Sequence, residues 1–334
     1  MRLIKPMAVC ALLAVPFMTL TPMAPASAAE VVLKGISAWP KSFPLTAGDF
    51  LLFIEEANKR GKGHFKIKHI GGPEISKAPA QSKGFKSGLY DLMHTAASYH
   101  RGVVPEVDAL SATQLKPWDA RKNGAMKALN SAISKRINGI MLAHMATSVS
   151  FNLYLRKKPE ITADGVVSLK GFKMRSVPVY DAFLKSLGAT TITVHVPEIY
   201  NALERGLVDG IAFPNLFTRK FGWNKFTKYT VFPSFYQLEP SVFIGNKALA
   251  KLTPKGREIM LQAGEDWEKM SWGIWRPQVA KERQIYKKGG TKEIIMNGAA
   301  AKKYLELANT TPVERLKKVG SPESKILSKL YHGQ

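Results

Sequence analysis

Between residues 169 and 214, the pattern of apolar and polar positions predicts strand, helix, strand, helix, strand. Apolar residues recur at helical spacing in Tyr180–Leu187 and in Glu198–Arg205, and a glycine follows each segment. Short apolar or β-branched runs lie around them, at Phe172–Val177, Thr190–Val196 and Val208–Phe213. This alternation predicts a parallel sheet, and such sheets hold ligands at the carboxyl ends of their strands.

The chain after residue 28 opens with the same order of elements. The pattern predicts a strand at Val31–Ile36, a helix at Ala47–Asn58 and a strand at Phe65–Ile70. Two more strands are predicted at Tyr90–Thr95 and Ile140–His144, each followed by a loop. The first half therefore also predicts a sheet of the doubly wound kind.

A long helical pattern dominates the last third of the chain. It covers residues 255–288, and Thr253 followed by Pro254 is a favourable helix start. Pro277 is expected to kink or split this helix, because proline lacks the N–H that a helix interior needs. Residues 299–307 and 311–330 are expected to form closing helices.

Arg175 ends the first strand of the stretch 169–214. A guanidinium group presents parallel donors that match the two oxygens of a carboxylate, and it stays charged at physiological pH. A strand end is also where such a sheet holds its ligand. Arg175 is therefore a candidate anchor for an organic anion; the alternative is a surface arginine paired with an acidic side chain.

The segments KGFKMR, SLGAT and PEIYNALERGLVDGIAFP occur in this order in the same stretch. Together they resemble the solute receptors of tripartite ATP-independent periplasmic (TRAP) transporters, the DctP-like family, and the likeness extends more weakly over the rest of the chain. The resemblance implies a two-lobed α/β fold in which each lobe is a mainly parallel sheet flanked by helices. It also implies that Arg175 forms a two-pronged salt bridge to the ligand's carboxylate.

The resemblance also implies domain bounds and partners. Residues 29–152 and about 236–260 would form lobe I, and residues 153–235 and about 290–334 would form lobe II. The helix 255–288 would span both lobes. The implied partners are a small organic carboxylate and the integral membrane subunits of a TRAP transporter, and we expect the receptor to be a monomer.

Further ligand contacts are expected from the first half of the chain by the same resemblance. His94 and Tyr99 lie near a strand-loop junction that lines the cleft in the family, and Trp39 lies in the loop after the first strand. Ser148 stands where some members carry a second arginine, and Arg156 is the nearest arginine to it. Each of these residues has packing as its simpler alternative.

In the second half, Phe213 stands where the family often carries an asparagine that assists the arginine. An aromatic ring there favours a ligand with an apolar or aromatic body, although Phe213 could equally fill the core. Asn215 could supply the missing donor. Ser234, Phe235 and Tyr236 lie in a link that lines the cleft in the family, so they are further candidates.

The first 28 residues have the features of a secretory signal. Arg2 and Lys5 precede the apolar run Met7–Leu20, and small residues precede an expected cleavage after Ala28. We therefore expect a periplasmic protein. Cys10, in this segment, is the only cysteine of the 334 residues, so no disulfide or cysteine-bound metal is expected after it.

The net charge of +24 is high for an exported binding protein. Export and the scattered lysines argue against a nucleic-acid partner, whereas a positive field would attract an anion. No phosphate-binding loop or motif of catalysis or metal binding was found, so no cofactor, metal or catalytic residue is expected. A periplasmic hydrolase or lyase acting on a small acid, or a receptor feeding a sensor, remains the alternative.

Overall fold

Two large mixed β-sheets, each flanked by helices, form the fold, beside a separate two-stranded antiparallel sheet. The computed structural model describes residues 30–111 and 113–332, so the predicted signal peptide lies outside the described residues. The strands are β1 (Val31–Ser37), β2 (Phe65–Gly71), β3 (Leu92–Ala96), β4 (Gly139–His144), β5 (Phe151–Leu155), β6 (Glu160–Ile161), β7 (Val167–Ser168), β8 (Lys173–Ser176), β9 (Thr190–Thr193), β10 (Gly210–Pro214), β11 (Tyr229–Phe232), β12 (Pro240–Gly245) and β13 (Lys292–Ile295).

The α-helices of the described residues complete the two lobes. They are α1 (Leu51–Arg60), α2 (Ala78–Ser87), α3 (Asp108–Ser111), α4 (Pro117–Lys122), α5 (Ala125–Ile137), α6 (Asp181–Ser186), α7 (Ile199–Glu204), α8 (Asn246–Lys251), α9 (Pro254–Lys288), α10 (Gly298–Val319) and α11 (Pro322–His332). Searched over the same residues, no helix is both long and apolar enough to cross a membrane.

The sheet of lobe I has the order β2-β1-β3-β12-β4, and that of lobe II has the order β13-β11-β5-β10-β8-β9. Within lobe I, β12 runs antiparallel to both neighbours. Within lobe II, β5 does the same. The other pairings recorded in these two sheets are parallel, so each sheet is mainly parallel with one reversed strand.

The reversed strands are the places where the chain passes between lobes. The chain leaves lobe I after β4 and enters lobe II with β5; it returns from lobe II after β11 and enters lobe I with β12. A reversed strand begins at the edge where its parallel neighbours end. Pro240 accordingly pairs with Ala96, and Phe151 pairs with Pro214. At one edge of each sheet, the carboxyl ends of the parallel strands therefore lie beside the start of the strand that crosses from the other lobe.

Helix α9 is continuous from Pro254 to Lys288, with Pro277 inside it. The Thr253 side chain accepts a hydrogen bond from the amide of Gly256, as expected for an N-cap. The predicted helix is present, but Pro277 does not split it. Because proline has no N–H, the carbonyl oxygen of Gly273 lacks the hydrogen bond that residue 277 would normally donate. Gly273 is exposed to solvent, so water can donate to that oxygen instead.

The side chain of Asp49 fastens α9 to lobe I. Fully buried, it accepts hydrogen bonds from the indole N–H groups of Trp267 and Trp275, at 2.7 and 2.8 Å, and from the Ser271 hydroxyl at 2.7 Å. Burial raises the pKa of the Asp49 carboxyl to about 6, although these three donors lower it. Two of the α9 tryptophans thus serve packing between elements.

Two contacts fasten the other end of α9 to lobe II. Glu282 forms an ion pair of 3.2 Å with Arg219, and the hydroxyl of Tyr286 is hydrogen-bonded to Thr218. The helix is therefore anchored to the first lobe near residues 267–275 and to the second lobe near residues 282–286.

The carboxyl-terminal helices depart from the expected division into lobes. The resemblance implied that residues 290–334 belong to lobe II, and β13 does join that sheet. Helix α10 begins in the lobe II core with Tyr304 but contributes Leu316 to the lobe I core. Helix α11 packs on α5 and buries Leu327 in lobe I. The end of the chain therefore returns to the first lobe.

Candidate functional site

A cavity of about 440 Å³ lies between the two lobes. The ends of β3, β8 and β10 and the starts of β5 and β12 border it, as the edge geometry of the sheets requires. We call it the cleft. Nine aromatic residues line it: Trp39, Phe43, Tyr99, Phe151, Tyr180, Phe213, Phe217, Phe221 and Tyr236. Such a wall favours an apolar or aromatic ligand body.

Arg175 lines the cleft and is 4% exposed. Its Nε donates to the carbonyl of Val194 at 2.9 Å, and its Nη1 donates to the hydroxyl of Tyr180 at 2.6 Å. The Tyr180 hydroxyl in turn donates to the Ala212 carbonyl at 2.8 Å. These bonds fix the plane of the guanidinium group, which is the geometry that two-pronged recognition of a carboxylate needs.

The guanidinium group of Arg175 has no acidic partner among the ion pairs recorded for the described residues. A guanidinium group carries five N–H donors, and the two bonds above use two of them. A buried, unpaired charge is unfavourable unless something neutralises it. The remaining donors therefore suit an anion that enters the cleft.

Glu239 is the other charged residue that lines the cleft. It lies immediately before β12 and is 6% exposed. Burial raises the pKa of its carboxyl to about 7; Ser98 and Arg101 lower this pKa, while the charge of Asp108 raises it. Its Oε2 atom has no hydrogen-bond partner among the residues that the structure describes.

Five of the residues predicted from the sequence line the cleft together, namely Arg175, Trp39, Tyr99, Phe213 and Tyr236. Trp39 stacks on Phe43 with ring centroids 5.6 Å apart and lies 6.0 Å from the ring of Tyr99. Phe213 is 8% exposed and presents its ring edge-on to Trp223 at 4.7 Å. It therefore both packs in the core and contributes to the wall of the cleft.

His94 lies behind the cleft wall. It is fully buried, its ring stacks on Phe50 at 4.5 Å, and its Nδ1 is hydrogen-bonded to the Ser37 hydroxyl at 3.1 Å. Burial lowers the pKa of the His94 imidazole to about 3, so the ring is neutral at physiological pH. The ring of Trp39 lies 5.1 Å away, and His94 contacts the cleft only through such neighbours.

The two candidates for a second polar contact, Ser148 and Arg156, do not line the cleft. Ser148 donates its hydroxyl hydrogen to the carbonyl of Trp272 at 3.1 Å, which ties a loop to α9. Arg156 follows β5 at the end far from the cleft and lies beside Gly206. Both residues therefore lie outside the cleft.

Asn215, Ser234 and Phe235 also lie outside the cleft. Asn215 and Ser234 line a separate cavity of about 290 Å³ beside α9. The Asn215 side-chain oxygen accepts from the amide of Ser150 at 3.2 Å, because the chain turns away after β10. Phe235 is 1% exposed and packs in the lobe II core, where its ring lies 4.9 Å from that of Phe183.

The sequence reasoning missed Glu239, Tyr180 and Phe43. Tyr180 was identified only as an apolar position of a helix, yet its hydroxyl orients Arg175. Glu239 was not among the predicted candidates. The direction of β12 could have identified it. Because β12 runs antiparallel to β3, its first residues lie beside the carboxyl end of β3, which borders the cleft.

No cluster of three or more histidine, cysteine, aspartate or glutamate side chains that could hold a metal ion occurs in residues 30–111 and 113–332. Arg175 and Glu239 are the charged residues on the cleft wall, and the remaining lining is aromatic, aliphatic or neutral polar. This arrangement is suited to binding an organic anion by its charge and its apolar body.

The family model of the bacterial extracellular solute-binding proteins, family 7 (DctP), matches residues 37–310. The chain belongs to this family. It is therefore a solute-binding protein and not an enzyme, since this is a family of binding proteins. The family implies a periplasmic location, whereas cleavage after Ala28 stays a prediction.

The receptor is similar over much of its length to other binding proteins. A solute-binding protein of Albidiferax ferrireducens is 24% identical over 272 residues, 78% of each chain. A TRAP periplasmic solute-binding protein from Rhodoferax ferrireducens, solved with malonate, has a TM-score of 0.72 and 19% identity over 90% of this chain and 97% of that one.

A third similar protein is a marine metagenome TRAP receptor described as specific for aromatic acid ligands. Its structure has a TM-score of 0.66 and 20% identity over 91% of this chain and 98% of that one. These structural likenesses confirm the predicted two-lobed α/β fold.

Proposed function

We propose that this receptor captures a small organic carboxylate with an apolar or aromatic body and delivers it to the membrane subunits of a TRAP transporter. The observation that carries the proposal is the state of Arg175. Its guanidinium group is buried, oriented by two hydrogen bonds, and without an acidic partner among the described residues. An incoming carboxylate would neutralise the charge and accept the remaining donors.

The aromatic wall supports the second half of this proposal. A cavity of about 440 Å³ lies in the range typical of small-molecule sites. Phe213 presents an aromatic ring where the family often carries an amide, so a hydrocarbon or ring is favoured beside the carboxylate. A ligand screen should compare aromatic acids, for which the marine metagenome receptor is described as specific, with small dicarboxylates such as the malonate bound by the Rhodoferax ferrireducens protein.

The delivery step rests on family membership. Closure of two lobes over a ligand gives a membrane partner a shape that differs from the empty receptor. That the receptor works as a monomer stays a prediction.

A thermal-shift screen of organic acids on the purified receptor tests the proposal. The panel should contain aliphatic monocarboxylates, aromatic monocarboxylates, dicarboxylates and 2-oxoacids, with the matching amides as uncharged controls. We expect aromatic or branched monocarboxylates to raise the melting temperature most and the amides to have no effect. Equal stabilisation by acids and amides would contradict the role of Arg175. A sugar or a cation as the best ligand would contradict the proposed class.

A further inference from the structure

The cleft wall carries a cation at one position and an anion at another, Arg175 and Glu239. Both side chains are more than nine-tenths buried. The ion pairs recorded for residues 30–111 and 113–332 do not join them, so they are more than 4.0 Å apart. A ligand that fills the cleft therefore meets a positive group and a negative group separately.

Glu239 is held in place by its backbone. Its carbonyl oxygen accepts hydrogen bonds from the amide of Ala97 at 3.2 Å and from the hydroxyl of Ser241 at 3.1 Å. Its carboxylate oxygen Oε2 is enclosed and has no donor within hydrogen-bonding distance in the part of the chain that the structure describes. A buried acceptor left without a donor is unfavourable, so native proteins rarely keep one.

Neighbouring cations do not explain this carboxylate. Arg101 lies close enough to lower the pKa of Glu239, but it is engaged with Asp108 at 3.3 Å. Arg315 is paired with the same Asp108 at 2.7 Å. Both nearby arginines are therefore paired with Asp108, and Ser98 is the neighbour whose hydrogen bonding lowers the pKa of the Glu239 carboxyl. Glu239 thus lines the cleft without a cationic partner of its own among the described residues.

We infer that Glu239 accepts a hydrogen bond from a hydroxyl or N–H group of the ligand, while Arg175 holds the carboxylate of the same molecule. The inference rests on the proposed function and narrows it. The ligand class becomes carboxylic acids that carry a hydrogen-bond donor away from the carboxylate, such as hydroxylated or amino-substituted aromatic acids. A second carboxylate on the ligand would meet Glu239 instead and be repelled when that residue is ionised.

The test compares acids that differ only in the donor. Isothermal titration calorimetry at pH 8 would measure phenylacetate, its 3- and 4-hydroxy derivatives and the corresponding methoxy derivatives, which keep the oxygen and lose the donor. Hexanoate and 6-hydroxyhexanoate repeat the comparison on a flexible body. We expect at least one hydroxylated acid to bind roughly tenfold to a hundredfold tighter than its parent, with no such gain for its methoxy derivative.

Two variants connect the preference to the residue. Glu239→Leu should abolish the advantage of the hydroxylated acid and leave the parent acid bound as well as before or better, since the buried carboxyl is gone. Glu239→Gln should keep part of the advantage, because the amide retains an acceptor. Glu282→Gln is the matched control: Glu282 is 7% exposed but lies outside the cleft, so the preference should be unchanged.

The outcomes separate this inference from the proposed function. If the acids bind and the donor gives no advantage, or if Glu239→Leu weakens all acids alike, Glu239 has a structural role and the inference is overturned. Tightest binding by dicarboxylates such as 3-carboxyphenylacetate would overturn it as well. If no acid of the wider panel binds, the proposed function itself fails.

Discussion

Replacing Arg175 by methionine should remove most of the affinity for organic acids. Methionine keeps much of the side-chain length and apolar contact but carries no charge and no donor. The guanidinium group is 4% exposed, so its interaction with a carboxylate would take place with little screening by water. It also has donors beyond those used by Val194 and Tyr180, which allows a two-pronged contact.

The size of the effect follows from this burial. Removing one partner of a buried, hydrogen-bonded charge pair costs about 2–5 kcal/mol. At about 1.4 kcal/mol for each factor of ten, this corresponds to a loss of about 30-fold to 5,000-fold in Kd. Arg175→Lys should recover only part of the loss, because an ammonium group cannot reproduce the fork geometry.

Calorimetry with the best acid from the screen is the assay, and a melting curve of each variant checks that it folds. Arg156→Met is the matched control, since Arg156 lies outside the cleft and its replacement should leave Kd unchanged. A folded Arg175→Met receptor with the affinity of the original, or an equal loss in Arg156→Met, would refute the assignment of the anchor.

Three further predictions concern the surroundings of the cleft. Tyr180→Phe removes the hydroxyl between Arg175 and the Ala212 carbonyl, so acid affinity measured by calorimetry should fall about fivefold, the effect of roughly 1 kcal/mol; unchanged affinity would count against this orienting role. Phe213→Asn should shift preference from apolar acids towards hydroxylated ones by roughly tenfold in a competition assay, and an unaltered ranking would contradict it. Asp49→Asn should remove a pH dependence of stability. The pKa of Asp49 is about 6 in the folded protein and 3.8 ordinarily, so the folded state binds the proton more tightly. The free energy of unfolding of the unsubstituted protein therefore falls as the pH rises from about 4 to about 6. Denaturant titrations at pH 4 and pH 7 should therefore show the original losing about 2 kcal/mol relative to the variant, and parallel profiles would show that Asp49 titrates normally.

The elements of the fold were largely predictable because local periodicity dictates them. The alternating strands and helices in 169–214 and the helix start at Thr253 each depend on neighbouring residues. The destination of the carboxyl-terminal helices was not predictable in this way. Gly320, with φ of 69°, ends α10 and redirects the chain, but only tertiary packing of Leu327 decides which lobe receives α11.

The position of Arg175 was predictable because one motif places both the strand and an arginine near its carboxyl end. The wrong placements arose where a side chain near a strand end faces another direction. Asn215 turns back to Ser150 after β10, and its position in the sequence does not show this. Glu239 was missed because the pairing of β12 between two distant strands decides which of its ends borders the cleft.

Helix α9 sets a mechanical condition on any movement of the lobes. Its side chains hold it to the first lobe around residues 267–275 and to the second lobe around residues 282–286. Pro277 lies between these two sets of contacts. The helix has one internal bond fewer there, so it bends most easily at that point. If the receptor opens while both sets of contacts stay formed, the helix must bend near Pro277. The stiffness of residues 273–277 then governs how far the entrance of the cleft widens.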